Sequence, residues 1–416
     1  MSAAKDTRPV LVAGGGIGGL AAALALVREG YRVKVIEQAG QIGEIGAGIQ
    51  LSPNAFAACD ALGVGEHLRA KAVYTEEMVM FDAIDAKRVA SISLSDKFRA
   101  RFGNPYAVIH RADIHGALLE GVKATTDGIE FLTSTKVVHI EQDDRGVTLI
   151  DAQGGRHEGQ AVIGCDGVRS AVRQQYVGDS IRVSGHVVFR AVVDTADFPE
   201  ALRFTAPCIW VGPNCHLVHY PLKGGDKFNI AVTFHSDQPE EWGSMDGDPA
   251  EVQRYFRTTC EQVQQLLRIP KAWKRYSTAD RNPIEQWTFG RATLLGDAAH
   301  PMVQYLAQGA CTACEDAVTL GLALRREGGD WPRALALYEG ARVARTARVV
   351  LSAREMGRIY HAKGVERLVR NSLWVGRTPE RFYDAVEWLY AWRPEHCLDD
   401  APASLQPAAA VELSLH

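Results

Sequence analysis

The stretch that decides the fold lies near the start of the chain and reads Leu11-Val12-Ala13-Gly14-Gly15-Gly16-Ile17-Gly18-Gly19. Together with Val10, its first residues form an apolar run that predicts a short buried strand. Gly14, Gly16 and Gly19 follow with the spacing G-x-G-x-x-G. A strand that leads into this glycine spacing predicts the first turn of a dinucleotide-binding βαβ unit.

The rest of such a unit follows along the chain. The Ala- and Leu-rich segment Leu20 to Arg28 predicts a helix, Gly30 suits its C-cap, and a second apolar strand ends at Glu37. Backbone N–H groups at a helix N-terminus bind pyrophosphate, and an acid at this strand end bonds a ribose 2′-hydroxyl. The unit therefore predicts a dinucleotide whose adenosine carries no 2′-phosphate. A glycine-rich turn beside a solvated glutamate is the alternative.

Composition argues against several classes of protein. The chain has 416 residues, with 46 Lys or Arg, 50 Asp or Glu and a formal net charge of −4. This balance argues against a nucleic-acid-binding surface. No run approaches the roughly 20 apolar residues of a membrane-spanning helix, and the N-terminal segment lacks the apolar core of a signal peptide. The eight cysteines are scattered without disulfide or metal-ligand spacing. We therefore expect a cytoplasmic protein without a bound metal.

Two later segments contain a glycine beside an aspartate. Val162 to Ser170 predicts a strand, a tight turn at Asp166-Gly167 and the start of a helix. Thr293 to Pro301 contains Gly296-Asp297 and precedes a predicted helix. Small residues recur with a helical period from Gly309-Ala310 onward, so this helix can pack closely against a sheet or a flat ligand.

The intervening segments indicate how the chain is divided. Residues 181–282 alternate like an antiparallel sheet, with a hairpin signal at Lys223 to Asp226, and residues 332–371 are helical and Arg-rich. Another helix is predicted to begin at Asp113. The predicted fold class is α/β, with a Rossmann-like domain built from discontinuous segments, an antiparallel-sheet domain and a helical C-terminal region. The predicted bounds are 8–72, 101–180 and 283–330 for the first domain, 73–100 and 181–282 for the second, 331–395 for the C-terminal helices and 401–416 for a disordered tail.

Three motifs stand in the order of one known family: the N-terminal glycines with Glu37, the Asp166-Gly167 turn and the Gly296-Asp297 segment. Over roughly residues 8–395 the chain resembles the single-component FAD-dependent aromatic hydroxylases, the 4-hydroxybenzoate-hydroxylase-like monooxygenases. The resemblance implies tightly but non-covalently bound FAD, NADH as electron donor, addition of O₂ at flavin C4a and transfer of one oxygen atom to a phenolic ring. The Arg-rich helices and the aromatic segment Trp388 to Trp392 add the expectation of a homodimer.

The resemblance also implies which residues bind the cofactor. Asp166 would lie near the pyrophosphate and the nicotinamide route, and Asp297 would bind the ribityl chain. The helix that begins near Gly309 would place its positive N-terminal dipole at the pyrimidine edge of the flavin. The full set of implied cofactor-binding residues is Gly14, Gly16, Gly19, Glu37, Arg111, Asp166, Asp297, Gly309 and Ala310.

The substrate side of the site depends on the predicted strand 215–222. With a period of two, His216 and Tyr220 share one face of this strand, and His219 lies on the other. The family places at His216 the base that deprotonates the substrate hydroxyl, with Gln304 as its partner; a satisfied histidine on a half-buried strand is the alternative. His219 is expected to be structural or at the surface, and His300 to bond to backbone. The implied substrate contacts are Tyr220, Tyr106 and Gln50.

Two segments indicate the substrate within the family. Residues 211–222 and 301–306 are most similar to those of the members that hydroxylate 3-hydroxybenzoate. A phenolate directs an electrophile to its para position, which is C6 of 3-hydroxybenzoate, so the expected product is gentisate. Salicylate, attacked at its carboxyl-bearing carbon, and 6-hydroxynicotinate are alternatives on the same machinery. A flavin oxidase or dehydrogenase and a non-catalytic flavin sensor are alternatives of other classes.

Overall fold

Two large β-sheets organise the protein, which a computed structural model describes over residues 6–43, 47–125 and 128–399. The predicted tail at 401–416 lies outside these residues. Among the described residues, no helix is long and apolar enough to cross a membrane.

The first sheet contains the predicted βαβ unit. Its strands, in spatial order, are β19 (Thr288–Phe289), β20 (Ala292–Leu294), β12 (Ala161–Gly164), β1 (Val10–Ala13), β2 (Val33–Ile36) and β8 (Ile129–Leu132). All neighbours are parallel except β19 and β20. Because parallel strands end at the same edge, the turns that follow β1, β12 and β20 lie together although their sequences are far apart.

The second sheet is antiparallel except for one pair, β14 and β5. Its strands, in spatial order, are β17 (Ser244–Gly247), β18 (Trp273–Asp280), β13 (Arg182–Asp194), β16 (Lys227–His235), β15 (Cys215–Leu222), β14 (Cys208–Gly212), β5 (Glu77–Asp82) and β6 (Arg88–Ser93). The predicted hairpin is therefore β15 and β16. One face of this sheet belongs to an apolar core that includes residues of the following two helices, α7 (Pro249–Phe256) and α8 (Glu261–Arg268).

The remaining strands form two small sheets. The first contains β3 (Gly48–Leu51), β7 (Ala107–His110) and β4 (Val73–Tyr74), in this spatial order. The second contains β11 (Arg156–Gly159), β10 (Val147–Asp151) and β9 (Val137–Gln142). The remaining α-helices are α1 (Ile17–Arg28), α2 (Pro53–Ala61), α3 (Gly65–Arg69), α4 (Asp96–Phe102), α5 (Arg111–Ala124), α6 (Ala171–Tyr176), α9 (Gly309–Arg326), α10 (Trp331–Tyr360), α11 (Gly364–Ser372) and α12 (Pro379–Tyr390).

The helices largely follow the sequence pattern, but two of them begin earlier than predicted. α1 begins at Ile17 rather than Leu20. α5 begins at Arg111 rather than Asp113, because the His110 ring Nδ1 accepts a hydrogen bond from the Ala112 N–H and caps the helix two residues earlier. The small residues of α9 allow close packing on α1: a Cβ added at Gly321 would lie 3.4 Å from the Ala25 Cβ. The stripe of small residues in α9 thus has a packing role.

The small sheet that contains β3 contacts the second large sheet through β15 and β16. The Gly48 N–H donates a hydrogen bond to Asn229 Oδ1 at 3.1 Å. A Cβ at Gly48 would lie 2.5 Å from the Tyr220 ring, so the absence of a side chain lets β3 approach the substrate-side strand. A salt bridge from Lys223 to Asp113, 2.8 Å long, adds a second contact between the two parts.

Candidate active site

The glycine-rich turn after β1 is closely packed on one side and open on the other. Gly14 has φ +107°, and an added Cβ would lie 2.4 Å from the Cys165 carbonyl oxygen. At Gly19 an added Cβ would lie 1.9 Å from the Gly14 carbonyl oxygen. Gly16, the N-cap of α1, has open space at the same position. The turn therefore presents a helix N-terminus with room for a phosphate group.

Glu37 is positioned at the end of β2 by backbone contacts. Its two carboxylate oxygens accept hydrogen bonds from the Gly15 and Ala39 N–H groups, each at 2.7 Å. The side chain of His115 supports the same turn, with Nε2 3.0 Å from the Gly15 carbonyl oxygen. Each carboxylate oxygen has a further lone pair, so Glu37 can still accept a hydrogen bond from a ribose hydroxyl.

Asp166 contributes a carboxylate with one unsatisfied oxygen. Its Oδ2 accepts a hydrogen bond from the Ala171 N–H at 2.7 Å. Its Oδ1 is buried and has no hydrogen-bond partner within the described ranges, and burial raises the pKa of this carboxyl. The preceding residue, Cys165, contacts Gly14. A buried polar atom normally has a partner, so this position suits a hydroxyl group of a ligand bound at the turn.

Asp297 lies at the matching turn after β20. It is exposed, whereas its neighbours Gly296 and Ala298 are buried. A Cβ added at Gly309, the first residue of α9, would lie 4.0 Å from Asp297 Oδ1. The carboxylate and the N-terminus of α9 with Ala310 thus lie side by side. Both can hydrogen-bond a polyhydroxyl chain, and the residues present therefore fit FAD.

A buried ionic network holds this turn in place, and the sequence prediction missed it. Arg342 of α10 donates hydrogen bonds to Asp316 Oδ1 at 2.6 Å and to Glu315 Oε2 at 2.8 Å. Asp316 Oδ2 accepts the Gly296 N–H at 3.0 Å and contacts His300 Nε2 at 2.6 Å. Burial alone would raise the pKa of Asp316, but the charges of His300 and Arg342 lower it to about 2. His300 is therefore structural as expected, although its partner is a carboxylate.

The first residue of the substrate side is His216 on β15. Its side chain is 3% exposed, and its Nδ1 lies 2.8 Å from Nε2 of His361, at the end of α10. The rings of Tyr305 and Tyr360 lie with their centroids 5.5 Å from that of His216. Burial and the nearby His186 lower the pKa of His216 to about 3. The imidazole is therefore neutral in the substrate-free protein.

Gln304 lies on the same face of the second sheet. Its Nε2 is 3.5 Å from the Thr233 hydroxyl, and Thr233 is paired with His216 across β15 and β16. A short segment runs from Gln304 to Gly309, the first residue of α9. This segment therefore leads from the neighbourhood of the His216 strand to the N-terminus of α9.

The predicted substrate contacts are brought together at β3, β7 and β15. Tyr106 donates a hydrogen bond from its hydroxyl to Gln50 Oε1 at 2.5 Å. Tyr220 packs in an apolar cluster with Val108, which is paired with Gln50 in the sheet. Arg111, predicted to contact FAD, is the first residue of α5, and its side chain is exposed. Its backbone N–H donates to the Ala47 carbonyl oxygen at 3.1 Å, which places it beside β3.

His219 lies on the opposite face, as the strand period predicts. It is buried against Phe198 and Phe228, with ring centroids 5.3 and 6.4 Å from its own. Burial lowers its pKa to about 3. The expectation of a structural residue is confirmed, whereas a surface position is wrong because helices and loops cover this face of the sheet.

Comparison with known proteins identifies the family. A family model for the FAD binding domain matches residues 7–353. The 3-hydroxybenzoate 6-hydroxylase of Polaromonas naphthalenivorans (strain CJ2) is 66% identical over 390 residues, covering 94% of this chain and 97% of that protein. The 3-hydroxybenzoate 6-hydroxylase of Klebsiella oxytoca is 55% identical over 396 residues, covering 95% and 99%. Klebsiella pneumoniae HpxO, solved in complex with FAD and uric acid, matches with a TM-score of 0.81 at 27% identity, covering 95% and 98%. The chain therefore belongs to the FAD-binding-domain family, as a single-component FAD-dependent aromatic hydroxylase.

Proposed function

We propose that this protein is an NADH-dependent FAD monooxygenase that converts 3-hydroxybenzoate to gentisate by hydroxylation at C6. The observation that carries the proposal is the buried His216, placed with Gln304 on the sheet face reached by the segment that leads into α9. Three relatives of 55% identity or more are named 3-hydroxybenzoate 6-hydroxylases. The small-molecule partners proposed are the aromatic hydroxy acid, NADH and O₂.

The residues proposed to hold FAD converge from separate parts of the chain. The Gly14–Gly19 turn and Glu37 would hold the ADP part, and Asp166 and Asp297 would bind along the chain toward the flavin. The N-terminus of α9 would lie at the ring. When bound, FAD would supply the redox chemistry: it takes up electrons from NADH and reacts with O₂, and one oxygen atom is then delivered to the substrate.

The protein's own task is to place and deprotonate the substrate. His216 Nε2 is the ring nitrogen left available after Nδ1 contacts His361, and we assign it to accept the phenol proton. A phenolate is a better nucleophile than a phenol, so this transfer activates the ring. The low pKa of His216 belongs to the substrate-free protein; the negative charge of a bound phenolate stabilises the imidazolium and raises that pKa.

Tyr220, Tyr106 and Gln50 are proposed to set the position of the ring. The hydrogen bond between Tyr106 and Gln50 fixes both side chains, while Tyr220 is held against Gly48. A small shift of the ring would expose a different carbon to oxygen. Placement therefore decides between para-hydroxylation of 3-hydroxybenzoate and the alternatives, salicylate and 6-hydroxynicotinate.

A screen of substrates with product identification tests the proposal. Purified FAD-loaded enzyme is given 2-, 3- or 4-hydroxybenzoate or 6-hydroxynicotinate, with NADH or NADPH, under ¹⁸O₂. We expect the fastest coupled NADH oxidation with 3-hydroxybenzoate and gentisate that carries one ¹⁸O atom. Fast NADH oxidation without oxygen insertion would identify an oxidase instead. A faster coupled reaction with another acid would change the substrate.

Assembly, location and domain division are proposed on separate grounds. We propose a homodimer because α11 and the residues after it expose apolar side chains, among them Val365 at 75% and Val375 at 79%. A cytoplasmic location is supported by eight free cysteines. We also propose the predicted domain bounds, because the strands of each large sheet lie within the segments assigned to one domain. Light scattering of the purified protein would give the mass, and a monomer would contradict the dimer.

A further inference from the structure

Four histidines form a continuous row that leads from the substrate side of the second sheet to the surface. Successive ring centroids are 5.0, 5.1 and 5.1 Å apart along His216, His361, His186 and His235. We call this set the imidazole row. Exposure rises along it, from 3% at His216 and 9% at His361 to a half-buried His186 and an exposed His235.

The first two members of the row, His216 and His361, share a hydrogen bond, and its direction determines whether His216 can act as a base. His216 Nδ1 and His361 Nε2 are 2.8 Å apart, so one of them carries the shared proton. If His216 Nδ1–H donates, His216 Nε2 is bare and can act as a base, and the proton of neutral His361 is on Nδ1. If His361 Nε2–H donates, neutral His216 carries its proton on Nε2 and cannot act as a base. His361 therefore controls whether His216 can accept a proton.

The far nitrogen of His361 is unsatisfied. Its Nδ1 is buried and has no hydrogen-bond partner in the part of the chain that the structure describes. In the base-competent arrangement this atom carries a proton that no neighbouring group holds. A buried donor without a partner is costly, so His361 can release this proton once its Nε2 has accepted one from His216.

The next residue, His186, can receive it. The Tyr305 hydroxyl oxygen lies 2.9 Å from His186 Nδ1. When the His186 Nδ1–H donates to this oxygen, Nε2 is bare and can accept a proton. The His186 ring stands perpendicular to that of His361, at 90°, and nearly perpendicular to that of His235, at 85°. These are ring contacts rather than hydrogen bonds, so transfer beyond His361 requires a ring rotation or a bridging water.

The charges around the row favour proton passage over proton storage. Burial, with smaller contributions from His235 and Arg182, lowers the pKa of His186 to about 4. Burial also lowers the pKa of His361, with contributions from the other imidazoles and Arg370. Tyr305 and Tyr360, which also face the row, stay neutral because burial raises the pKa of each. A proton that enters the row is therefore not retained by any buried member.

We propose that the imidazole row is a proton path between the substrate hydroxyl and solvent, with His361 as its obligatory second member. The substrate O–H bond breaks as a bond to His216 Nε2 forms; His216 passes its Nδ1 proton to His361 Nε2, and His361 releases its Nδ1 proton toward His186 and His235. No electron is transferred, and the row exchanges protons in both directions, so the overall reaction stays balanced. This inference rests on the proposed function, because it assigns the substrate hydroxyl to His216.

Proton release on substrate binding tests the path directly. FAD-loaded enzyme is mixed anaerobically with 3-hydroxybenzoate in weak buffer, and a pH indicator and the phenolate absorbance are followed by stopped flow. We expect His235→Gln and His361→Gln to slow proton release by about tenfold or more, within the range of acid–base contributions, with unchanged flavin content. Added imidazole should restore the rate of His235→Gln, whose site is at the surface, and not that of His361→Gln, whose site is buried.

A second exposed histidine provides the matched control. His139 lies on β9, away from the row, and His139→Gln should release protons at the rate of the unchanged enzyme. Unchanged rates in His235→Gln, or a slow rate that imidazole does not restore, would overturn the path even if His361→Gln is poorly folded. If the unchanged enzyme hydroxylates 3-hydroxybenzoate normally, such results refute the row alone. If it forms no phenolate and no gentisate, the proposed function and the row fail together.

Discussion

Replacing Arg342 by Met should destabilise the protein and loosen its flavin site. The guanidinium is 1% exposed and contacts Asp316 and Glu315, both fully buried, at 2.6 and 2.8 Å. Met has a similar length but no charge, so the change leaves two buried carboxylates with fewer partners. Because Asp316 also accepts the Gly296 N–H, the disturbance reaches the turn that carries Asp297.

The size of the expected destabilisation depends on the partners that the two buried carboxylates keep. Removing one member of a buried ion pair costs about 3 to 5 kcal/mol. Glu315 keeps Arg345 at 2.7 Å, and Asp316 keeps His300 at 2.6 Å. We therefore expect the free energy of unfolding to fall by about 3 kcal/mol, the lower end of this range.

The stability difference between the two proteins should also change with pH in a defined direction. The folded pKa of Asp316, about 2, lies below the unfolded value of about 3.9. Its stabilising contribution is therefore complete above about pH 4 and is lost as the pH falls toward 2. Without Arg342, the pKa of this buried carboxyl rises. The difference between the two proteins should then be largest at neutral pH and shrink on acidification, because Asp316 of the variant becomes protonated.

Urea denaturation measures the effect. Both proteins are unfolded at a series of pH values from about 7 down to about 3, so that the window below the unfolded pKa is included, with flavin fluorescence as a second signal. Arg358→Met, on the same helix, is the control, because Arg358 is exposed and its Glu355 contact is 3.9 Å long; it should change stability by no more than about 0.5 kcal/mol. A loss below about 1 kcal/mol for Arg342→Met, or a difference that grows on acidification, would refute the reasoning.

Three further changes test the site. His216→Asn should retain FAD but lose hydroxylation by about 100-fold or more, measured as coupled gentisate formation; normal coupled turnover would exclude it as the base. Asp297→Ala should lower the flavin content after purification by weakening FAD binding about tenfold, the effect of roughly one hydrogen bond, and unchanged content would contradict its role. Gly19→Ala should prevent the turn from forming, because its Cβ would lie 1.9 Å from the Gly14 carbonyl oxygen. Circular dichroism and flavin titration compare it with Gly16→Ala, which should fold and only weaken FAD binding.

The βαβ unit could be predicted because its signals are local. The apolar run, the glycines and Glu37 lie within one short stretch, and each element forms from residues near in sequence. The alternation in β15 likewise separates His216 from His219 correctly, since side chains alternate along any strand. The predicted roles of the site residues depend on the family resemblance and stay predictions.

The ionic network and the imidazole row could not be predicted in the same way. Arg342 meets Asp316 from another helix, and His361 meets His216 from an element 145 positions away. No spacing rule connects such positions. A signal for the network was nevertheless present: Glu315 and Asp316 stand side by side in a helix of small apolar residues. Two adjacent acids at such a place require buried partners.

The order of strands in the first sheet has a consequence for how the protein is made. β1 pairs on one edge with the nearby β2, but its other neighbour is β12, which in turn is bordered by β20. These later partners are synthesised long after β1. Until Ala292–Leu294 is synthesised, the growing chain carries an unpaired strand edge. Such edges promote aggregation of partly synthesised chains. Premature termination before that point should therefore yield insoluble fragments rather than a smaller working protein.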